Sequence, residues 1–250
     1  MAGNRHLESL YLGAHPLIQP LFERLRLRTF FQEALGKPDG RLRVSHVDAA
    51  LLLVRNFTLS RHPLYGVPDW VCRFDPSQLE LEPHQVKFLN DDRLGRTLDK
   101  LFEADLRTLM TRLVVHMVEE FNLDLQRMHN DSTSITFTGV YRQKPSRKDG
   151  RRHLKVVHGF NKDHRPDLKQ LVWTLTVSHD GAVPVHYNVD DGNVTDDRTH
   201  IQTWQTLCSI ANRPDFIYVA DCKLCTRENM EFIKTNGGHF ITVLPRTRKE

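Results

Sequence analysis

Met128-His129-Asn130-Asp131-Ser132-Thr133-Ser134-Ile135-Thr136-Phe137-Thr138-Gly139-Val140-Tyr141 is where the periodicity of the chain changes. Ser, Thr, Ile, Phe and Val dominate the stretch, Ile135 and Phe137 stand two apart, and Gly139 interrupts the run. β-Branched and aromatic residues in this pattern favour a pleated backbone, so a strand or hairpin is predicted. Downstream, Leu171 to Val177 reads as a second strand, joined through the short turn His179-Asp180-Gly181 to a third from Val183 to Val189. Thr199 to Ile210 reads as a helix, Phe216 to Ala220 as a short buried strand ending at Asp221, Arg227 to Thr235 as a helix, and His239 to Leu244 as a last strand. An antiparallel opening followed by alternating helix and strand predicts a mixed sheet covered by helices.

Upstream the period is helical. Leu106, Leu109, Met110, Leu113, Val114, Met117, Val118 and Phe121 fall at three- and four-residue steps, which puts them on one core-facing side of a helix. Just before it, Asp91 or Asp92 is a candidate cap for a helix with the buried stripe Leu94, Leu98, Leu101 and Phe102. Ile18 to Leu35 and Val47 to Phe57 also read as helices, separated by the breaker Gly36-Lys37-Pro38-Asp39-Gly40, while Pro63, Gly66, Pro68 and Pro76 mark an irregular stretch. The predicted architecture is mixed α/β: a helical N-terminal domain over 1–125 and a mixed sheet with flanking helices over 126–250.

Composition narrows the function classes. An apolar fraction of 39% over 250 residues is enough for a sizeable core, which excludes a disordered chain. The longest uninterrupted apolar run is six residues, Ala49 to Val54, far below the roughly 20 that cross a bilayer, so no membrane span is predicted. No basic stretch leads into an apolar block at the N-terminus, and four scattered cysteines make no disulfide framework, so a cytoplasmic protein with reduced thiols is expected.

Charge is unevenly divided. Residues 1–125 carry 16 Lys and Arg against 17 Asp and Glu, and residues 126–250 carry 19 against 14, so the net of +4 comes from the second half. Arg142 to Lys169 alone holds ten bases against three acids. Its Arg147, Lys148, Arg151, Arg152, Lys162, Arg165 and Lys169 are candidate contacts to a polyanion, and a solvated loop fits the same charge run.

Two acids lie where a sheet collects chemistry. Asp131 lies at or near the first strand and Asp221 directly follows the strand Phe216 to Ala220, so both could reach one cleft and together hold a divalent metal. Carboxylate oxygens suit Mg²⁺, and paired ions of this kind serve phosphoryl transfer. Each acid alone also fits a structural role: Asp131 before Ser132-Thr133-Ser134 as an Asx turn, Asp221 as a helix cap. Cys222-Lys223-Leu224-Cys225 has the spacing of a zinc or redox pair, but no second pair accompanies it, so two small residues beginning a helix is the simpler reading.

Asp131-Ser132-Thr133-Ser134, His158-Gly159-Phe160-Asn161-Lys162-Asp163-His164-Arg165-Pro166-Asp167-Leu168-Lys169-Gln170, Gly192-Asn193-Val194-Thr195-Asp196 and Val219-Ala220-Asp221 resemble the DDE transposases of bacterial insertion sequences. The likeness is to the subgroup with a helical N-terminal domain before an RNase H-like core, and Leu12-Gly13-Ala14-His15-Pro16 with Asn90-Asp91-Asp92-Arg93-Leu94-Gly95-Arg96 resembles that subgroup's N-terminal region. What the resemblance implies is Mg²⁺- or Mn²⁺-dependent DNA strand cleavage and strand transfer. Asp131 falls on the first catalytic and metal-binding acid and Asp221 on the second. DNA ends and target DNA are the implied partners, and a homo-oligomer at the nucleoid the implied assembly. Glu228, Glu231 and Glu250 are the glutamates after Asp221, and none matches the third acid, so an N-terminal portion of a longer protein with an incomplete RNase H-like sheet is expected. A truncated, inactive transposase that binds DNA or a full-length partner is the alternative.

Overall fold

The computed structural model describes residues 9–36, 39–141, 154–161, 165–194 and 199–245. The chain divides into two compact units, Met1–His116 and Met117–Glu250.

In the first unit the described helices are α1 (His15–Arg24), α2 (Leu27–Leu35), α3 (His46–Leu59), α4 (Val67–Val71), α5 (Asp91–Glu103) and α6 (Leu106–Phe121), the last running on into the second unit. α3 is the centre. Ser45 caps it, its hydroxyl accepting from Asp48 N at 3.0 Å. The apolar run Ala49 to Val54 leaves α3 little polar surface at mid-length, and a helix apolar all round must be buried. Ala49, Leu52 and Leu53 accordingly pack with Val67, Trp70, Val71, Leu79 and Leu94, while Val47, Ala50 and Leu51 pack with Phe22, Leu27 and Leu35. Each of these larger side chains contributes about 1.5–3 kcal/mol by leaving water.

Several expectations are corrected here. Ile18 to Leu35 is two helices, because Arg26 takes a left-handed conformation at φ 51° between α1 and α2. The cap of α5 is Asn90, whose side chain accepts from Arg93 N at 2.7 Å, and not Asp91 or Asp92. Its buried residues are Leu94 and Thr97, with Leu98 and Phe102 exposed. On α6 only Leu109 and Val114 of the predicted face are buried.

The second unit contains a five-stranded sheet of β1 (Arg127–Phe137), β2 (Lys169–Ser178), β3 (Pro184–Asp191), β4 (Ile217–Ala220) and β5 (His239–Ile241), ordered β3-β2-β1-β4-β5. β1, β2 and β3 are antiparallel neighbours, whereas β4 runs parallel to β1 and β5 parallel to β4. α7 (His200–Ala211) lies between β3 and β4 in sequence and α8 (Arg227–Thr235) between β4 and β5. The fold is thus mixed α/β, with the strand order and directions of an RNase H-like sheet.

Residue alternation gives this sheet two unlike faces. Met128, Val172, Thr174 and Tyr218 are buried on the side where α7 brings Trp204 against Phe216 and His200 Nδ1 to 3.0 Å from the Tyr218 hydroxyl. The polar members of that face are paired, as where Thr176 Oγ1 donates to Asn130 Oδ1 at 2.8 Å. On the other face Arg127, Asp131, Thr133 and Ile135 are exposed, and Leu171, Trp173, Leu175 and Val177 are half-buried.

Candidate functional site

Parallel pairing of β1 and β4 decides where the acids stand. Arg127 pairs with Ile217, Met128 with Tyr218, His129 with Val219 and Asn130 with Ala220. The next residue along each strand is Asp131 on one and Asp221 on the other. Asp221 leaves β4 at its carboxyl end, while β1 continues for six more residues beside β2. The two acids are therefore neighbours across adjacent strands at the carboxyl end of the parallel pair, and both are exposed.

Local hydrogen bonds hold each carboxylate. Asp221 Oδ1 accepts from Lys223 N at 3.0 Å, and its own carbonyl accepts from Leu224 N and from the Thr242 hydroxyl at 2.6 Å. Asp131 Oδ1 accepts from Ser132 N at 2.7 Å. Burial, and then the Asp221 charge, drive the Tyr218 hydroxyl far above the ordinary phenol range, so beneath the site stands a neutral phenol within hydrogen-bond distance of His200. The carboxylate oxygens form a hard donor set that fits Mg²⁺ or Mn²⁺, and Asp131 and Asp221 are the residues that would hold it. Among the described residues no group of three or more His, Cys, Asp and Glu gathers as a metal site, and this applies equally to Cys222 and Cys225, which close a turn through Cys225 N to Cys222 O at 3.1 Å. Glu228 and Glu231 are exposed on α8, and Glu231 is ion-paired to Arg227 at 2.7 Å. Glu250 lies outside the described residues.

Most of the predicted basic segment also lies outside them: Arg147, Lys148, Arg151, Arg152 and Lys162. Arg165 is described and holds Asp167 in a two-point pair at 2.8 and 2.7 Å. Lys169 Nζ donates to the carbonyls of Val140 and Tyr141 at 2.8 and 3.0 Å. Both bases are engaged within the protein.

Three features escaped the sequence reading. His129 Nε2 lies 3.2 Å from His179 Nδ1 with the rings stacked, on the face that carries Asp131 two residues later. Burial, then the charges of His179 and Arg127, hold His129 below the usual imidazole range. Strand alternation signals that His129 and Asp131 share a face, but not that His179 meets them. A second feature is the closeness of Gly159 to Gly192: a Cβ on Gly159 would stand 1.8 Å from Gly192 O. The fully buried Gln170 ties this crossing together, its Nε2 donating to Gly192 O at 2.8 Å and Phe160 O at 3.1 Å. The third is Phe160 itself, 81% exposed, with Lys223 Nζ 6.0 Å from its ring centre.

Residues 7–115 match a family model described as a domain of unknown function, DUF4277, which spans under half of the chain. None of the curated proteins matches the sequence. Among solved structures the chain is similar to the Mos1 transposase paired-end complex with left transposon end, at 12% identity and TM-score 0.30, over 82% of this chain and 60% of that one. It is also similar to a pre-cleavage Mos1 transpososome at 11% identity and TM-score 0.31, over 85% and 62%. A further similar structure is the Mos1 mariner paired end complex with Mn, at 14% identity and TM-score 0.30, over 91% and 67%. The chain spans about 60% of the length of the first of these transposase chains.

Proposed function

We propose that the second unit is the catalytic portion of a DDE-type transposase of a bacterial insertion sequence, cleaving and joining DNA strands with Asp131 and Asp221 as metal-binding catalytic residues. The observation that carries this reading is the parallel register Asn130 to Ala220, which brings the next residues, two exposed carboxylates, onto adjacent strands. A bound Mg²⁺ or Mn²⁺ supplies positive charge to the phosphodiester under attack. The protein's own part is to hold the carboxylates in place through Ser132 N and Lys223 N and to back them with the buried Tyr218–His200 pair. In this reading water cleaves at an element end, and the freed 3′ hydroxyl attacks target DNA. The chain acts as a homo-oligomer at the nucleoid and meets DNA phosphates through Arg147, Lys148, Arg151, Arg152 and Lys162, while Arg165 and Lys169, already engaged within the protein, add little. The helical unit is a second DNA contact.

A second reading is a DNA-binding but non-cleaving derivative. It is favoured by the lack, among the described residues, of a group of three or more His, Cys, Asp and Glu placed to hold a metal. The test is nicking of end-labelled duplex carrying the sequences that flank the reading frame, by the chain in Mg²⁺ or Mn²⁺. Metal-dependent nicking that is lost in Asp131→Ala and in Asp221→Ala supports the first reading, and nicking that survives either variant overturns it. Duplex binding without nicking supports the second.

A further inference from the structure

We infer that Phe160 and Lys223 form a platform that stacks an unpaired nucleobase of the DNA strand beside Asp221. This rests on the reading that the second unit acts on DNA, and adds to it how the strand is placed.

Phe160 is the most exposed of the large apolar side chains described, and a ring left in water forgoes the burial that normally stabilises it. Single apolar residues on a surface are ordinary. What sets Phe160 apart is how the backbone beneath it is held. Its carbonyl accepts from Gln170 Nε2 at 3.1 Å, and Gln170 is wholly buried. The preceding residue, Gly159, is packed onto the Gly192 carbonyl so tightly that no side chain fits between them. Val157 makes a two-way backbone bridge with Gln170, Val157 N to Gln170 O at 3.3 Å and Gln170 N to Val157 O at 2.9 Å. The backbone beneath the ring is thus pinned to the interior while the ring stands in solvent.

The surroundings identify the ligand chemistry. Lys223 places its ammonium 6.0 Å from the ring centre, and its backbone amide holds Asp221 Oδ1. Ring, cation and carboxylate therefore follow one another over the span of a single residue's main chain and side chain. An aromatic face accepts a base by stacking, a lysine accepts the adjoining phosphate, and neither distinguishes one base from another. Bases inside a duplex are already stacked on their neighbours, so the platform takes a base freed from pairing, at a frayed or opened strand near the phosphodiester to be cut.

The test uses the full chain and a 12-nucleotide single strand carrying 2-aminopurine, whose fluorescence falls on stacking, alongside a blunt duplex of the same sequence. Wild type should quench the probe. Phe160→Leu should weaken single-strand binding at least about fivefold and abolish quenching, with duplex binding and thermal unfolding unchanged because the ring is exposed. Phe160→Trp should retain both signals, and Lys223→Gln should weaken binding while retaining quenching. Wild-type affinity and quenching in Phe160→Leu, or no quenching by wild type, overturns the inference. The acid variants keep the two readings apart. If Asp131→Asn and Asp221→Asn cleave like wild type while Phe160→Leu loses quenching, the catalytic reading fails and the platform stands. If those variants are inactive while Phe160→Leu binds normally, the platform alone fails.

Discussion

The Lys223 backbone amide donates to Asp221 Oδ1 at 3.0 Å, so the carboxylate that would hold metal also shapes the turn that follows β4. Its two roles separate by substitution. Asn keeps an oxygen that accepts from the amide but loses the charge. Asp221→Asn should therefore lower Mn²⁺ affinity more than tenfold with unfolding unchanged, while Asp221→Ala should lose affinity and also about 1 kcal/mol of stability, the usual net worth of the turn hydrogen bond it removes. Mn²⁺ titration followed by electron paramagnetic resonance, paired with urea unfolding, reads both. Equal Mn²⁺ affinity in Asp221→Asn and wild type would remove Asp221 from the metal site.

Backbone approach at Gly159 and Gly192 makes a stability prediction. A Cβ on Gly192 would stand 2.0 Å from Gln170 O and 2.5 Å from Val157 O, and these are main-chain atoms that cannot swing aside. Gly159→Ala and Gly192→Ala should each cost more than about 2 kcal/mol in urea unfolding, in line with overpacking of a closed interior. Gly95 lies within α5, and a methyl added there would meet nothing within 4 Å, so Gly95→Ala should instead stabilise by about 0.5–1 kcal/mol.

In the helical unit, Arg55 has no exposed surface, and its Nη2 lies 3.3 Å from Glu80 Oε1 and also bonds Gln19. Glu80 further accepts from Arg28 at 2.6 and 3.1 Å. Burial alone would raise the Glu80 pKa, but the hydrogen bonds from Arg28 and Gln19 and the charges of Arg28 and Arg55 outweigh it and hold the carboxyl below its ordinary value of 4.5. A depressed carboxyl pKa contributes stability above the unfolded value, and that contribution is lost as pH falls through the folded pKa. Stability should thus decline as pH drops below about 4.5. Glu80→Gln should flatten that decline, and Glu80→Ala at pH 7 should cost about 3–5 kcal/mol by leaving the Arg55 charge buried without its counter-ion. Identical pH profiles for Glu80→Gln and wild type would refute the assignment.

The strands and most helices were legible because their signals are local: alternation in Leu171 to Val177, the short apolar run before Asp221, the solid apolar centre of α3. What was not legible depends on partners distant in sequence or on a single backbone angle. The break at Arg26 is a left-handed φ at a residue type with no preference for it. Asp91 and Asp92 both read as caps, and only the geometry places the cap one residue earlier, at Asn90. For the candidate site, strand ends carrying Asp131 and Asp221 were readable, but their adjacency is a register between residues some ninety positions apart, which no local pattern encodes. Phe160 and Lys223 sit in segments that read as a motif and a cysteine spacing, and their meeting needs the Gly159, Gln170 and Gly192 crossing.

Salt dependence separates the bases that meet DNA from those already engaged. Each phosphate contact contributes about 0.9 to the slope of log affinity against log salt, because neutralising it releases a condensed counter-ion. Arg147, Lys148, Arg151 and Arg152 are four closely spaced bases with one acid, Asp149, among them. Replacing all four with Gln should flatten the slope by roughly three to four units. Arg165 and Lys169 belong to the same charge run, yet one is held by Asp167 at two points and the other by the Val140 and Tyr141 carbonyls. Turning either toward a phosphate would break those bonds, which offsets most of what the new contact gains. The double variant Arg165→Gln with Lys169→Gln should therefore change the slope by less than about one unit. Fluorescence anisotropy of a labelled 20-base-pair duplex at five salt concentrations gives all three slopes. An unchanged slope in the fourfold variant would reduce the segment to a solvated loop, and a larger change in the double variant than in the fourfold one would move the phosphate track onto the base of β2.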